Sequence, residues 1–274
     1  MHRRHFLTAS LATSAAALIP TALTAAAQES PMPQNSAAEN PQNPGHPYYQ
    51  LRSYHLSSGP QLALTENYFA ALLPALTRLG LGPIGAFRVD YGPETPNYLL
   101  LIPGASAELL AELDFRLAED AAFLSAAAPF WNAPAAAPAF NRVEVSLLSA
   151  FHGWPHITPP AGKGKRIFQL RTYESPSHQD HIRKVEMFHS GEFDIFRNAG
   201  FHPVFFGDTL IGTRMPSLTY MLAFDDLAQL DAQWNTFRND PAWKKLSSSP
   251  RFAYEPIVSN ITNLVLSPLA VSQI

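Results

Sequence analysis

Residues 48–54 read Tyr-Tyr-Gln-Leu-Arg-Ser-Tyr, and residues 167–173 read Ile-Phe-Gln-Leu-Arg-Thr-Tyr, an offset of 119. Five of the seven positions pair by identity or close similarity: Tyr49 with Phe168, Gln50 with Gln169, Leu51 with Leu170, Arg52 with Arg171, Tyr54 with Tyr173. A chain that repeats at this spacing has to bury two copies of one supersecondary unit. The segments downstream of each copy of the strand therefore decide the fold.

The same order of elements succeeds both copies. In the first half, a strand at 48–55 precedes a helix at 62–79 carrying Tyr68, Leu72, Leu76 and Leu79 at helical spacing; Pro74 should kink or restart it and Gly80 end it. Strands come next at 84–91 and 97–102, then a helix at 106–117 with Ser106 as N-cap, an Ala/Pro-rich loop at 126–139 and a closing strand at 142–151. In the second half, Ser177 with Asp180 forms a loose capping box for a helix. Its core stripe is Ile182, Val185, Phe188, Phe193 and Phe196, with Gly191 a break near the middle. Residues 199–203 align with 79–83 at an offset of 120. Strands at 204–212 and 218–224 come after it, then a helix marked by Leu227, Leu230, Trp234 and Phe237. Asp240-Pro241 starts a short helix holding Trp243, and a strand at 257–266 closes the set. Each half is βαββαβ, a ferredoxin-like unit, so the expected class is α+β: two tandem units whose sheets pack into one pseudo-dimeric barrel. The domain reading is residues 48–152 and 166–274 as the two units, with 153–165 as the hinge.

Five segments of the second half carry a family resemblance: Leu170-Arg171-Thr172-Tyr173-Glu174; residues 207–212 with Arg214-Met215-Pro216; Leu218-Thr219-Tyr220-Met221; Asp240-Pro241-Ala242-Trp243; and Ile257-Val258-Ser259-Asn260. As an ordered set they resemble the NIPSNAP family. The resemblance covers residues from about 166 onward closely and the first half as a diverged copy. There Phe123 stands where Trp243 does, and the Tyr-Met strand aligns with Tyr98-Leu99. It implies the dimeric α+β barrel superfamily, and no single agreed chemistry.

The N-terminus reads as a processing segment. Arg3-Arg4 followed by a short, Ala-rich apolar run resembles a twin-arginine export signal, and Ala25 to Ala27 supplies small-residue cleavage positions. Residues 1–27 are thus expected to be a signal peptide, residues 28–47 a flexible linker, and the destination periplasmic or extracellular. The apolar run is too short for a convincing membrane span, and none is expected after cleavage. Removing it lowers 19 Lys and Arg to 17 against 22 Asp and Glu, so the body is mildly acidic and carries no footprint for nucleic acid. With no cysteine, disulfides, thiolate catalysis and Cys-ligated metals are excluded.

Strand alternation puts Gln169, Arg171 and Tyr173 on one face, with Gln50, Arg52 and Tyr54 their counterparts. The expectation is that this polar face points into the space between the two sheets and the apolar face meets the helices. There the arginines either hold the halves together in a satisfied network or form a pocket for an anion or carbonyl, with Tyr220 beside it. His178 and His181 on the next helix, with His189 and Glu192, offer a possible ligand contact or a general base, but no convergent third metal ligand. Residues 80–85 spell G-x-G-x-x-G, yet they follow a helix and lead into a strand, the reverse of the dinucleotide-binding order. The tryptophans read first as packing and second as pocket lining. No cofactor is expected, since no histidine stands out as an axial haem ligand. The reading is a protein that binds a small apolar ligand or a protein partner, with a homo-oligomer allowed. The alternative, by analogy within the superfamily, is a cofactor-independent or haem-dependent oxygenase acting on an aromatic or quinone-like substrate.

Overall fold

The computed structural model describes residues 47–274 apart from Ser58 and Lys163. The expected signal peptide, with Arg3, Arg4, Ala25 and Ala27, and the linker up to residue 46 lie outside the described residues. The elements run β1 (Tyr48–His55), α1 (Pro60–Arg78), β2 (Gly85–Tyr91), β3 (Asn97–Gly104), α2 (Ala107–Ala111), α3 (Leu113–Leu117), α4 (Ala121–Trp131) and β4 (Arg142–Ala150) in the first half. The second half has β5 (Ile167–Glu174), α5 (His178–Met187), a π-turn (Phe188–Glu192), α6 (Phe193–Asn198), β6 (His202–Ile211), β7 (Ser217–Phe224), α7 (Leu227–Asn239), α8 (Pro241–Ser247), α9 (Tyr254–Ile257) and β8 (Asn260–Pro268).

All strand pairs are antiparallel and close into one barrel in the order β1-β3-β2-β8-β5-β7-β6-β4. Each half supplies four neighbouring strands, and two seams join them, β2 to β8 and β4 to β6. This is the pseudo-dimeric α+β barrel expected from the duplication. The caps hold as the sequence predicts: Ser106, Ser177 and Asp240 accept amide hydrogen bonds from Leu109, Asp180 and Ala242.

Closure settles which strand face looks inward, and it is the opposite of the expected one. Tyr49, Leu101, Leu148, Phe168, Leu170 and Met221 fill the lumen, and Phe87 of the first half meets Phe168 of the second edge-on at 5.0 Å. Gln50, Arg52, Tyr54, Gln169, Arg171 and Tyr173 face outward, beneath the helices. Both faces of these strands are covered, so alternation alone could not name the inner one. The long polar side chains reach partners that helices supply and a packed lumen does not. Gln50, for example, donates to the Leu110 carbonyl of α2 at 2.6 Å.

Two further expectations change. The stretch expected as loop from residue 126 is helical to Trp131. Asp120 caps α4, and Phe123, Ala127 and Phe130 bury one face, with Phe130 stacked on Tyr68 at 3.9 Å. Helix α1 runs through Pro74 as one element and does not restart there, held by its buried face of Tyr68, Phe69, Leu72 and Leu76.

At the β4–β6 seam, Gly207 lies opposite Ala150. A Cβ there would sit 3.0 Å from the Leu148 Cβ and Cδ2. Gly207→Ala should therefore overpack the seam and cost about 1–3 kcal/mol, read as a lower midpoint in urea unfolding. An unchanged midpoint would show that the seam yields freely.

Candidate functional site

The outward face of β5 builds the site. The Arg171 guanidinium lies over the Trp234 ring of α7, 4.2 Å from its centroid, while the Trp234 indole N–H donates to Gln169 Oε1 at 2.7 Å. Gln169 thus fixes the indole, and the indole face carries the cation. One hydrogen bond from Arg171 to a described residue runs from Nη2 to the Tyr173 hydroxyl at 3.0 Å. Tyr173 is in turn linked to the Tyr220 hydroxyl at 2.8 Å. Burial lifts the Tyr220 phenol well above its ordinary range, so it stays protonated. The Arg171 Nε is buried without an acceptor, and no described carboxylate lies within ion-pairing distance of the guanidinium. Beside it is a cavity of about 370 Å³ walled by Arg171, Tyr173, Trp234, Phe237, Trp243 and Tyr254, with the exposed Arg238 and Glu255 also on its wall.

Behind Tyr173 and Tyr254 lies a charge pair that the sequence reading missed. Lys184 Nζ donates to Glu192 Oε2 at 2.5 Å, and both side chains are essentially sealed from water, at 0% and 1% exposure. Phe188 lies under the ammonium at 4.2 Å and Tyr254 at 5.3 Å. Burial pushes the Glu192 carboxyl above the usual carboxylate range, and Lys184 and Arg171 offset this only in part. The π-turn makes the pair possible. Gly191, at φ 138°, takes a backbone position closed to most side chains and swings Glu192 inward. The core stripe of α5 is accordingly shifted from the expected one: His181, Lys184 and Met187 are buried, whereas Ile182 is half exposed.

The expected grouping of histidines with Glu192 does not form. His189 is tied to the backbone, its Nε2 accepting from Gly153 N–H at 3.2 Å and its Nδ1 facing the Val185 carbonyl at 2.9 Å. His181 pairs with Asp208 at 2.6 Å, and His178 is exposed.

The first half shows the same arginine in a different setting. Arg52 donates from Nε to Gln50 Oε1 at 2.5 Å and from Nη1 to Asp114 at 2.7 Å. The residue opposite Arg52 on β3 is Leu100; opposite Arg171 on β7 it is Tyr220. Tyr220 therefore corresponds to Leu100, two positions from the Tyr98 of the sequence alignment. The caps Ser106 and Asp226 stand 120 residues apart, which puts Trp234 where the first half has Asp114. One copy answers its arginine with a carboxylate; the other answers it with a ring. Around Arg52, Tyr54 packs against Tyr68, Phe69 and Phe130.

A second cavity, of about 360 Å³, opens at the polar end of the lumen. Several of its polar groups pair with one another: Thr172 with Thr219 at 2.9 Å, Ser217 with Thr209 at 3.0 Å, and His55 with Glu94 at 2.6 Å. Arg171, whose buried Nε has no acceptor among the described residues, is on the helix side of β5 instead.

That side lies within the stretch that matches a known family. Residues 168–273 match the NIPSNAP family model. The match covers the second repeat and supports the family that its motifs resemble. Among curated proteins none matches the sequence. Among solved structures, a proposed monooxygenase from Fusobacterium nucleatum superposes with a TM-score of 0.56 at 7% identity, over 82% of this chain and 93% of that one. A proposed monooxygenase from Lactobacillus acidophilus gives 0.53 at 11%, over 81% and 94%. An uncharacterized NIPSNAP-like domain protein from Burkholderia xenovorans aligns with 40% of this chain and 90% of its own at 17% identity, with a TM-score of 0.36. At such identities the likeness is one of fold. Among the described residues, no helix is long and apolar enough to cross a membrane.

Proposed function

We propose that the NIPSNAP half binds a small, largely apolar ligand in the cavity over Arg171, and that the first half is its structural counterpart. The observation that carries this reading is Arg171 itself: a guanidinium half-buried beside a cavity, stacked on Trp234, with a donor that no acceptor among the described residues meets. Buried polar groups are normally satisfied, and exceptions concentrate where a ligand completes them. The aromatic walls suit an apolar body, and Arg171 with Tyr173 suits one polar oxygen on it. The export expected from Arg3 and Arg4 belongs to the same proposal and would place the ligand outside the cytoplasm.

The test is a fragment screen by saturation-transfer NMR on wild type and on Ser247→Phe; Ser247 also lines the cavity, and the substitution puts a ring into its wall. Aromatic fragments should bind the wild type and lose binding in the variant while its melting temperature holds. Fragment binding that ignores Ser247→Phe would sink the assignment of the site.

A second reading uses the same atoms. The chain from Arg171 through Tyr173 to Tyr220 would hold and polarise a phenol or quinone oxygen, and two proteins sharing the fold are named as proposed monooxygenases. Oxygen uptake in the presence of a bound phenolic fragment would favour this reading over simple binding.

A further inference from the structure

We propose that the ligand of the Arg171 cavity is a monoanion whose charge is spread over a flat group, an aromatic carboxylate being the simplest case. This rests on the cavity being a small-molecule site and adds the charge and shape of what it takes.

The charges around the cavity decide it. Lys184 and Glu192 neutralise one another at 2.5 Å behind the wall. Arg238 and Glu255 on the wall are exposed, solvated and of opposite sign. Arg171 is left over, and a guanidinium keeps its proton at any working pH. In the first half the leftover charge is met by Asp114. In the second half Trp234 occupies that position, and an indole face attracts a cation without supplying a negative charge or an acceptor. Among the described residues no carboxylate takes that place, and the proposal gives the missing charge to the ligand. A neutral ligand would strip water from Arg171 and return a hydrogen bond at most, with no charge to offset the buried cation.

The count also sets an upper limit. Among the described residues Arg171 is the cation on this wall that is withdrawn from solvent, so it matches one negative charge, and the further charges of a di- or triphosphate would have only the exposed Arg238 to meet them. The shape follows from the guanidinium. Its face is taken by Trp234, which leaves its edge, where planar, two-oxygen acceptors fit best. Phe237, Trp243 and Tyr254 offer ring surfaces to the rest of the molecule, and a volume of about 370 Å³ holds one or two fused rings.

Isothermal titration of the full chain with naphthoate and with its neutral amide, near neutral pH, separates the outcomes. The proposal expects naphthoate to bind about tenfold or more tightly than naphthamide, the step expected for one charge-assisted hydrogen bond over a neutral one. Arg171→Met should bring the two affinities together, and Arg171→Lys should keep the preference in weakened form. Should Arg171→Met not fold, the wild-type ratio alone decides. Equal affinities in the wild type, or tighter binding of the amide, would overturn the anion preference and leave the cavity as a ligand site. Binding of neither compound would overturn both.

Discussion

Lys184→Met should destabilise the protein by about 3–5 kcal/mol, because it leaves the Glu192 carboxylate buried without its partner. At 0% and 1% exposure neither side chain reaches water, so the surviving group cannot relax outward. Glu192 answers instead by taking up a proton, the direction in which burial already pushes it. The sign with pH follows. The unfolded carboxyl titrates near about 4.3 and the folded one higher, so the variant's deficit is small below that value and grows as pH rises above it. Urea unfolding of both proteins across that range measures it. The double variant Lys184→Met with Glu192→Leu should recover most of the loss, since an apolar pair of similar volume often replaces a buried ion pair at little cost. A single variant within about 1 kcal/mol of wild type would show that the pair is not sealed as described.

The second large effect is expected at Trp234. It packs against Phe201 at 4.8 Å and Phe237 at 5.4 Å, so Trp234→Ala should cost about 3–5 kcal/mol. Trp234→Phe separates the ring's two duties. It keeps an aromatic face for Arg171 and removes the indole N–H that holds Gln169 at 2.7 Å, leaving a buried acceptor unpaired at about 1–3 kcal/mol. Ligand affinity should fall in both, further in the alanine variant, where Arg171 loses the surface that orients it. If Trp234→Phe were as stable as wild type, Gln169 would have to find another donor. A structure of the variant would show it.

How far the sequence reaches can be judged from particular residues. The duplication was legible because Gln50 and Gln169, and Arg52 and Arg171, are preserved in register. It carried the barrel, the element order and the caps at Ser106, Ser177 and Asp240 with it. The facing of the repeated strand was not legible. Alternation separates two faces, but when both are covered it does not say which is the lumen. Lys184 was hidden by a rule that usually holds, that a lysine on a helix lies in water. Its partner is eight residues away across a π-turn, a spacing no regular helix would bring together. The equivalence of Trp234 with Asp114 needed the ladder register, since nothing in the two residue types suggests it.

The two seams give the fusion its last consequence. In an assembly of two identical chains any change near the repeated arginine is written twice, and both copies must tolerate it. A single polypeptide that closes β2 on β8 and β4 on β6 escapes that constraint. One copy can stay as a self-neutralised buttress while the other drifts toward a vacancy in its charge. Such a division of labour is open to a tandem gene and closed to a symmetric pair.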